Sequence, residues 1–393
     1  MPGRDAVIIG ARCAGSTLAI TLAREGWNVT MVDRDTFPSD TLSTNLIFPN
    51  TLSRLNQLGV LDTLHANHDV PSLGFRIIGF GHDCTGDFTP VDGFDKLISP
   101  RRIALDNAMV ETALAVGVEG RFGERVVELI GSGTPDDPVA GVVLEGGEAI
   151  RADWVFGADG RASTVAGKLG IEKTNPMRGE VAYLLAFWRG IPNDGYATTD
   201  IRHDAILSSW AAEDGVHLLT AWGDPEFTRG SKEELLPKYL DFLRQFPETL
   251  DQAALTDAEM VSELLVAPET LLRGYYRQPT GPGWALVGDS CHFKHPATGQ
   301  GIGDAVEQSI HVAEAVSGKD PQLDGYGDWL NGRSVQQYPW SYAWGSFPKS
   351  DQQFIGWATE EDAAQDMRDS FSRQVEPSQV LTKDRVDRWF STA

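Results

Sequence analysis

Within the first 35 residues an apolar run, Ala6 to Gly10, meets a glycine-bearing turn, the stretch STLAITLAREG and a second run, NVTMVDRD. Leu18 and Leu22, with Ala19 and Ala23, repeat at helical spacing, and Gly26 is a natural helix stop. The β-branched content of the second run predicts a buried parallel strand. Strand, glycine turn, helix and strand in so short a stretch predict a βαβ unit. The turn itself is Gly10-Ala11-Arg12-Cys13-Ala14-Gly15, with Asp33 eighteen residues after Gly15. In a dinucleotide fold the first glycine permits the tight turn and the last lets helix and strand pack closely. The helix N-terminus then aims N–H groups at a pyrophosphate, and an acid ending the second strand accepts ribose hydroxyls. The middle glycine position holds Arg12, whose side chain must either turn away from a pyrophosphate or meet it as a cation.

The same alternation of elements predicts an α/β fold. Thr51 to Leu64 and Ile103 to Val116 read as helices, and Val126 to Ile130 and Gly141 to Leu144 as strands. WVFGADG and WALVGD each close an apolar strand, and GIGDAVEQSIHVAEAV reads as a helix. Between them, Glu180 to Trp222 alternates as antiparallel strands do. The expected organisation is a Rossmann-like domain in two parts, residues 1–175 and 271–325, with a β-segment near 72–100 joining an inserted antiparallel sheet, residues 176–270. A helical region, 326–393, follows. Asp214-Gly215 predicts a two-residue hairpin turn, which would set Trp210 opposite Leu219 and Trp222 opposite Leu207, on opposite faces of the sheet.

Composition narrows the partners. Against 33 Lys and Arg stand 56 Asp and Glu, a net charge of −23, which disfavours nucleic acid and anionic membranes. The 41% hydrophobic and 23% charged content is that of a globular chain. No run of about 18 apolar residues predicts a membrane span. No signal segment is visible at the N-terminus, and Cys13, Cys84 and Cys291 are too widely spaced for a zinc framework, so a cytoplasmic chain with reduced thiols is expected.

Two later motifs follow strands: Gly157-Ala158-Asp159-Gly160-Arg161-Ala162-Ser163, and Gly288-Asp289-Ser290-Cys291-His292 with Pro296 and Gly299-Gln300-Gly301. Asp159 and Asp289 fall just past strand C-termini, where ligands gather in open α/β sheets. Together, GARCAG with Asp33, GADGRAS and GDSCHFKHPATGQG resemble the three fingerprints of FAD-dependent enzymes of the aromatic-hydroxylase type. That superfamily also holds geranylgeranyl reductase-like proteins and flavin-dependent halogenases. The likeness runs from about residue 5 to 320.

The resemblance implies FAD as cofactor. Gly10, Ala14, Gly15 and Ser16, with Arg12 beside them, would face the pyrophosphate. Asp33 would bind the adenosine ribose, with Arg34 near the adenine. Arg102, in RIALD, resembles the arginine that contacts the cofactor, and Val126 falls where relatives touch adenine. Asp159 would support the cofactor region and nicotinamide access. Asp289 would bind ribityl hydroxyls. Pro296, Gly299, Gln300, Gly301 and Ile302 would border the isoalloxazine, where N–H groups and the helix dipole stabilise negative charge. Asn45 would fall near the dimethylbenzene side, and Tyr183, Phe187, Trp188, Trp210 and Trp222 would roof a substrate cavity.

No metal is expected, since His292 and His295 lack a third ligand at suitable spacing. His292 is read as support for the flavin loop rather than as a catalytic acid, and Glu360, Glu361 and Asp362 as a solvated helix start. The G-x-S-x-G elbow and the Walker A motif are absent. The first functional expectation is a monooxygenase that acts on an aromatic or polycyclic small molecule through a flavin C4a-hydroperoxide. NAD(P)H, bound transiently, or a partner flavin reductase would supply the electrons. The alternatives are a reductase or dehydrogenase of carbon–carbon double bonds and a halogenase, the latter without its Trp-x-Trp-x-Ile-Pro signature here. A flavoprotein carrier without turnover is the remaining class.

Overall fold

The computed structural model describes residues 4–43, 45–346 and 360–391. At its centre lies a six-stranded sheet whose order is Thr280–Gly281, Trp284–Leu286, Trp154–Gly157, Asp5–Ile9, Asn28–Asp33, Glu119–Phe122. All neighbours are parallel except the first pair. Ile8 sits opposite Met31 on one side and Phe156 on the other, and all three are fully buried. A central parallel strand is covered on both faces, which is why this run is continuously apolar. The helix Cys13–Arg24 packs on Gly301–Glu314 and on Arg102–Ala115. The architecture is therefore a Rossmann-like α/β core.

A second sheet of eight strands forms the other layer. Its path is Glu259–Met260, Ala182–Arg189, Val216–Gly223, Ile206–Ala211, Tyr196–Ile201, Gly74–Gly79 and His82–Gly86, and Leu265–Ala267 pairs with Ala182–Arg189. Gly74–Gly79 runs parallel to Tyr196–Ile201, so a segment from the first part of the chain completes a sheet built mainly from the insertion. One face of this sheet carries Tyr183, Leu185 and Phe187, and the opposite face carries Leu184, Ala186 and Trp188. The first face is closed by helices from the C-terminal region. Phe371, on the helix Glu361–Phe371, lies 5.0 Å from Phe75 and 5.3 Å from Trp344 by ring centroid. The second face is covered by the helix Lys232–Leu243, whose Tyr239 hydroxyl donates to the Leu219 carbonyl and accepts from the Trp188 indole.

Two local expectations are corrected. The stretch expected as one helix from Thr51 to Leu64 is two, Pro49–Gln57 and Val60–Asn67, because Gly59 adopts a left-handed φ of 78° between them. The hairpin turn at Asp214-Gly215 has three residues rather than two. The Ala212 amide bonds the Val216 carbonyl, and Asp214 and Gly215 carry φ of 56° and 72°. The register moves by one, so Trp210 pairs with Leu218 and Trp222 with Ile206. A one-residue slip flips every side chain, so both tryptophans lie on the same face and in the same core.

Candidate functional site

A cavity of about 570 Å³ runs between the two layers, bordered by the ends of three parallel strands. Its first wall is the turn after Asp5–Ile9. Gly10 has φ of 101°, and a Cβ there would lie 2.4 Å from the Ala158 carbonyl oxygen. A Cβ on Gly15 would lie 1.7 Å from the Gly10 carbonyl oxygen, so helix and turn touch backbone to backbone. Gly10, Arg12, Cys13 and Ala14 border the cavity, whereas Gly15 and Ser16 do not. Ser16 is fully buried and donates to the Ala11 carbonyl. Their part is to shape the turn.

Asp33 borders the cavity and holds the turn: one carboxylate oxygen accepts the Ala11 amide at 2.7 Å and the other the Asp35 amide at 2.9 Å. Each oxygen keeps a lone pair for a diol. Burial pushes this carboxyl above the usual range, and the two amides pull it back. Arg34 borders the cavity with an exposed side chain, and Val126 lies on the same stretch of wall.

Arg12 turns its guanidinium aside. Nη1 donates to Asp106 at 2.7 Å, and Nη2 to Asp35 at 3.2 Å and to the Ser39 hydroxyl at 2.8 Å. Asp106, fully buried, also accepts from Arg102 Nε at 2.9 Å and from the Cys13 thiol at 3.2 Å. It is the organising acid of this wall, and sequence reasoning passed over it. The signal was present in RIALD, where Arg102 and Asp106 stand one helical turn apart.

The second and third walls carry Asp159 and Asp289, both on the cavity. One oxygen of Asp159 accepts the Thr164 amide at 2.5 Å and caps a short helix. The other oxygen is buried and has no hydrogen-bond partner among the described residues. Burial is the main influence on both acids. It pushes Asp289 up to about 6, against the opposing charges of Arg161 and Arg102. From Asp289 the chain runs into a loop in which His295 Nδ1 accepts the Ala297 amide at 3.2 Å and Gly299 has φ of 64°. Pro296, Gly299, Gly301 and Ile302 border the cavity. Gln300 does not; its amide reaches away, to the Ser370 and Phe371 carbonyls at 2.9 and 3.2 Å.

The wall supplied by the eight-stranded sheet is a compact patch. Leu185 pairs with Thr220 and Tyr183 with Ala267 in register, and all four border the cavity together with Leu271 and Leu272. The Tyr183 hydroxyl lies 3.5 Å from His295 Nδ1. Trp222 does not reach the cavity; its ring meets that of Tyr183 edge-on at 4.9 Å and backs it. Trp210 is also outside the lining, Phe187 is in the core below, and Trp188 faces the other way. Asn45 is 1% exposed at φ of 62°, outside the lining, and its side-chain carboxamide has no hydrogen-bond partner among the described residues. His292 borders the cavity, and burial pushes its imidazole down to about 3, so it is neutral at ordinary pH.

The residues present fit an extended dinucleotide. The cradle at Gly10 admits no side chain, three helix or turn N-termini face inward, and the buried Asp159 oxygen is left for a donor. Comparison with known proteins agrees. Residues 4–223 match the family described as FAD binding domain. Menaquinone reductase from Mycobacterium tuberculosis is 26% identical over 338 residues, covering 80% of this chain and 77% of that protein. The 6-methylpretetramide 4-monooxygenase of Streptomyces rimosus is 26% identical over 326 residues, covering 78% and 73%. Among solved structures, a flavin-dependent brominase superposes over the whole of both chains with a TM-score of 0.75 at 18% identity, which is a likeness of fold.

Proposed function

On the premise that this chain belongs to the FAD binding domain family and is an FAD-dependent oxidoreductase, we propose that it is a monooxygenase of aromatic or polycyclic small molecules. The observation that carries this reading is the single cavity that leads from Asp33 and Arg34 to the patch of Tyr183, Leu185, Thr220 and Ala267. A cofactor along the first stretch would present its reactive end to a largely apolar wall that excludes water. Bound FAD, reduced by NAD(P)H, supplies the redox chemistry: one atom of dioxygen enters the substrate and the other leaves as water.

The chain's own residues divide the remaining work. Gly10 and Ala14 would let backbone approach the pyrophosphate. Asp33 would accept from the adenosine ribose, and Asp289 from hydroxyls nearer the ring. Asp159, whose free oxygen lies between these stretches, would hold a donor there. Pro296, Gly299, Gly301 and Ile302 would flank the ring. Tyr183, backed by Trp222, and Thr220 supply hydroxyl groups on the substrate wall, and Leu185, Ala267 and Leu272 the apolar surface. A relative named as a monooxygenase supports the reading.

A second reading is a reductase of carbon–carbon double bonds, and relatives named as menaquinone reductases support a reductase. The two are separated by labelled dioxygen. A monooxygenase oxidises NAD(P)H rapidly only with substrate present and places the label in the product; a reductase turns over without dioxygen. A preparation that stays colourless with excess FAD would falsify both. The three buried cysteines, free of disulfides, fit a cytoplasmic enzyme. Electrons would come from NAD(P)H bound transiently at the cavity mouth, or from a partner flavin reductase.

A further inference from the structure

Beside the cavity, where Pro296, Gly299, Gly301 and Ile302 border it, lies a buried cluster of charge. Lys294 Nζ is 2.7 Å from one oxygen of Asp304 and 2.8 Å from the Gln300 amide oxygen. The other oxygen of Asp304 takes Arg373 Nη1 at 2.5 Å. Arg373 also reaches Glu307 at 3.2 Å, and Glu307 takes Arg333 at 2.5 Å. Lys294 is 5% exposed and Asp304 8%. Lys294, Asp304 and the neutral His292 border the cavity; Arg333, Arg373 and Glu307 stand behind them.

Three cations share two carboxylates, so the cluster keeps one positive charge in a chain whose net charge is −23. Asp289, the next acid along the wall, faces Arg161 and Arg102. Burial pushes the Lys294 ammonium down, but only to about 8, so it is charged at neutral pH. Two of the three cations arrive from outside the three sequence fingerprints. Arg373 follows the helix Glu361–Phe371 and has a left-handed φ of 58°, a conformation unfavourable in a residue with a side chain. Its Nη2 is fixed by the Arg333 carbonyl at 2.7 Å.

We propose that Lys294 sets the electron affinity of the bound cofactor, its ammonium making the ring end of the cavity electropositive, and that Arg373 is a positioning residue that sustains this by taking a share of Asp304. The inference rests on the functional reading above, in which FAD lies with its ring at this end. Full reduction adds a hydride from NAD(P)H to the ring, two electrons and one proton, and leaves NAD(P)+ and one negative charge on the ring. A fixed cation at low dielectric favours that charge and needs no rearrangement as it forms.

The test is the midpoint potential of FAD in the holoenzyme at neutral pH, with sulfite affinity as a second readout, since sulfite adds to the oxidised ring and leaves an anion. Lys294→Met is expected to lower the reduced-to-oxidised ratio about tenfold, about 30 mV for a two-electron couple, and to weaken sulfite binding by a similar factor. Lys294→Arg is expected to keep both within about threefold, because the charge stays. Asp304→Asn, which removes the opposing charge, is expected to raise the potential. Unchanged potential and sulfite affinity in an FAD-loaded Lys294→Met overturns the proposal. So does a shift of the same sign in Lys294→Met and Asp304→Asn, which marks a packing effect. If neither variant retains FAD, Arg373→Met decides, since Arg373 is outside the cavity lining: a lowered potential supports the proposal and an unchanged one overturns it. Wild-type protein that takes up no FAD defeats the functional reading itself, which is a separate result.

Discussion

Arg12, in the turn after the first strand, and Asp106, on the helix Arg102–Ala115, meet at 2.7 Å and tie that turn to the helix behind the first wall of the cavity. The contact explains why an arginine is tolerated where dinucleotide folds carry a glycine: its charge is directed sideways to a buried acid. Arg12→Gly is therefore expected to make the turn more regular and the protein less stable. Arg102 still neutralises Asp106, so the loss should be about 1–3 kcal/mol. Urea unfolding of the apo-protein measures it, and an unchanged midpoint would show that the contact carries no stability.

The backbone contact between Gly15 and Gly10 leaves no room for a methyl group. Gly15→Ala should cost several kcal/mol and shift the melting temperature downward, with FAD retention lost in parallel. A variant that melts like the parent would show that the helix can slide away from the turn.

Asp289→Ala is expected to lower FAD content in the purified protein at least tenfold, because the acid would hold ring-proximal hydroxyls. Asp289→Asn, which keeps an acceptor, should recover part of it. Stoichiometry after heat release of the flavin reads both. Undiminished FAD in Asp289→Ala removes this assignment.

Ala267 faces Tyr183 across the strand pair on the substrate wall. Ala267→Trp should fill that side of the cavity and abolish substrate-stimulated NAD(P)H oxidation while leaving FAD content unaltered. Trp210→Phe, in the core behind the cavity, should affect stability more than substrate affinity. The reverse pattern would place the substrate elsewhere.

His217 is buried, hydrogen-bonded to Ser209 at 2.8 Å, and burial pushes its imidazole from the ordinary 6.5 down to about 4. The unfolded chain takes up a proton between these values and the folded chain does not, so stability falls as pH falls through that window. The contribution should reach about 2 kcal/mol by about pH 5. His217→Gln should flatten the acid limb of a plot of unfolding free energy against pH; an unchanged slope would assign acid sensitivity to other groups, His292 first.

The sequence announces those parts of the molecule in which one residue type answers one local demand. Gly10, Gly15 and Asp33 are legible because a tight turn, a close backbone approach and an acid that holds the turn's amides each require a particular chemistry at a fixed spacing. The strand ends at Asp159 and Asp289 are legible for the same reason. The hairpin register was not, since Asp214-Gly215 is compatible with two loop lengths and the choice between them sends Trp222 to one face or the other. Nor were Arg333 and Arg373 legible as partners of the cavity wall, nor the pairing of Asp106 with Arg12. Their contacts join segments far apart in the chain, and no local pattern records which distant arginine a buried acid will meet.

The strand Gly74–Gly79 finds its parallel neighbour in Tyr196–Ile201. During synthesis it leaves the ribosome long before that neighbour exists, and its open edge must wait. Severing the chain between the two layers would thus yield halves that are each missing a piece held by the other. The larger sheet can therefore close only after Tyr196–Ile201 has been made, because a pairing so distant in the chain must wait for both partners.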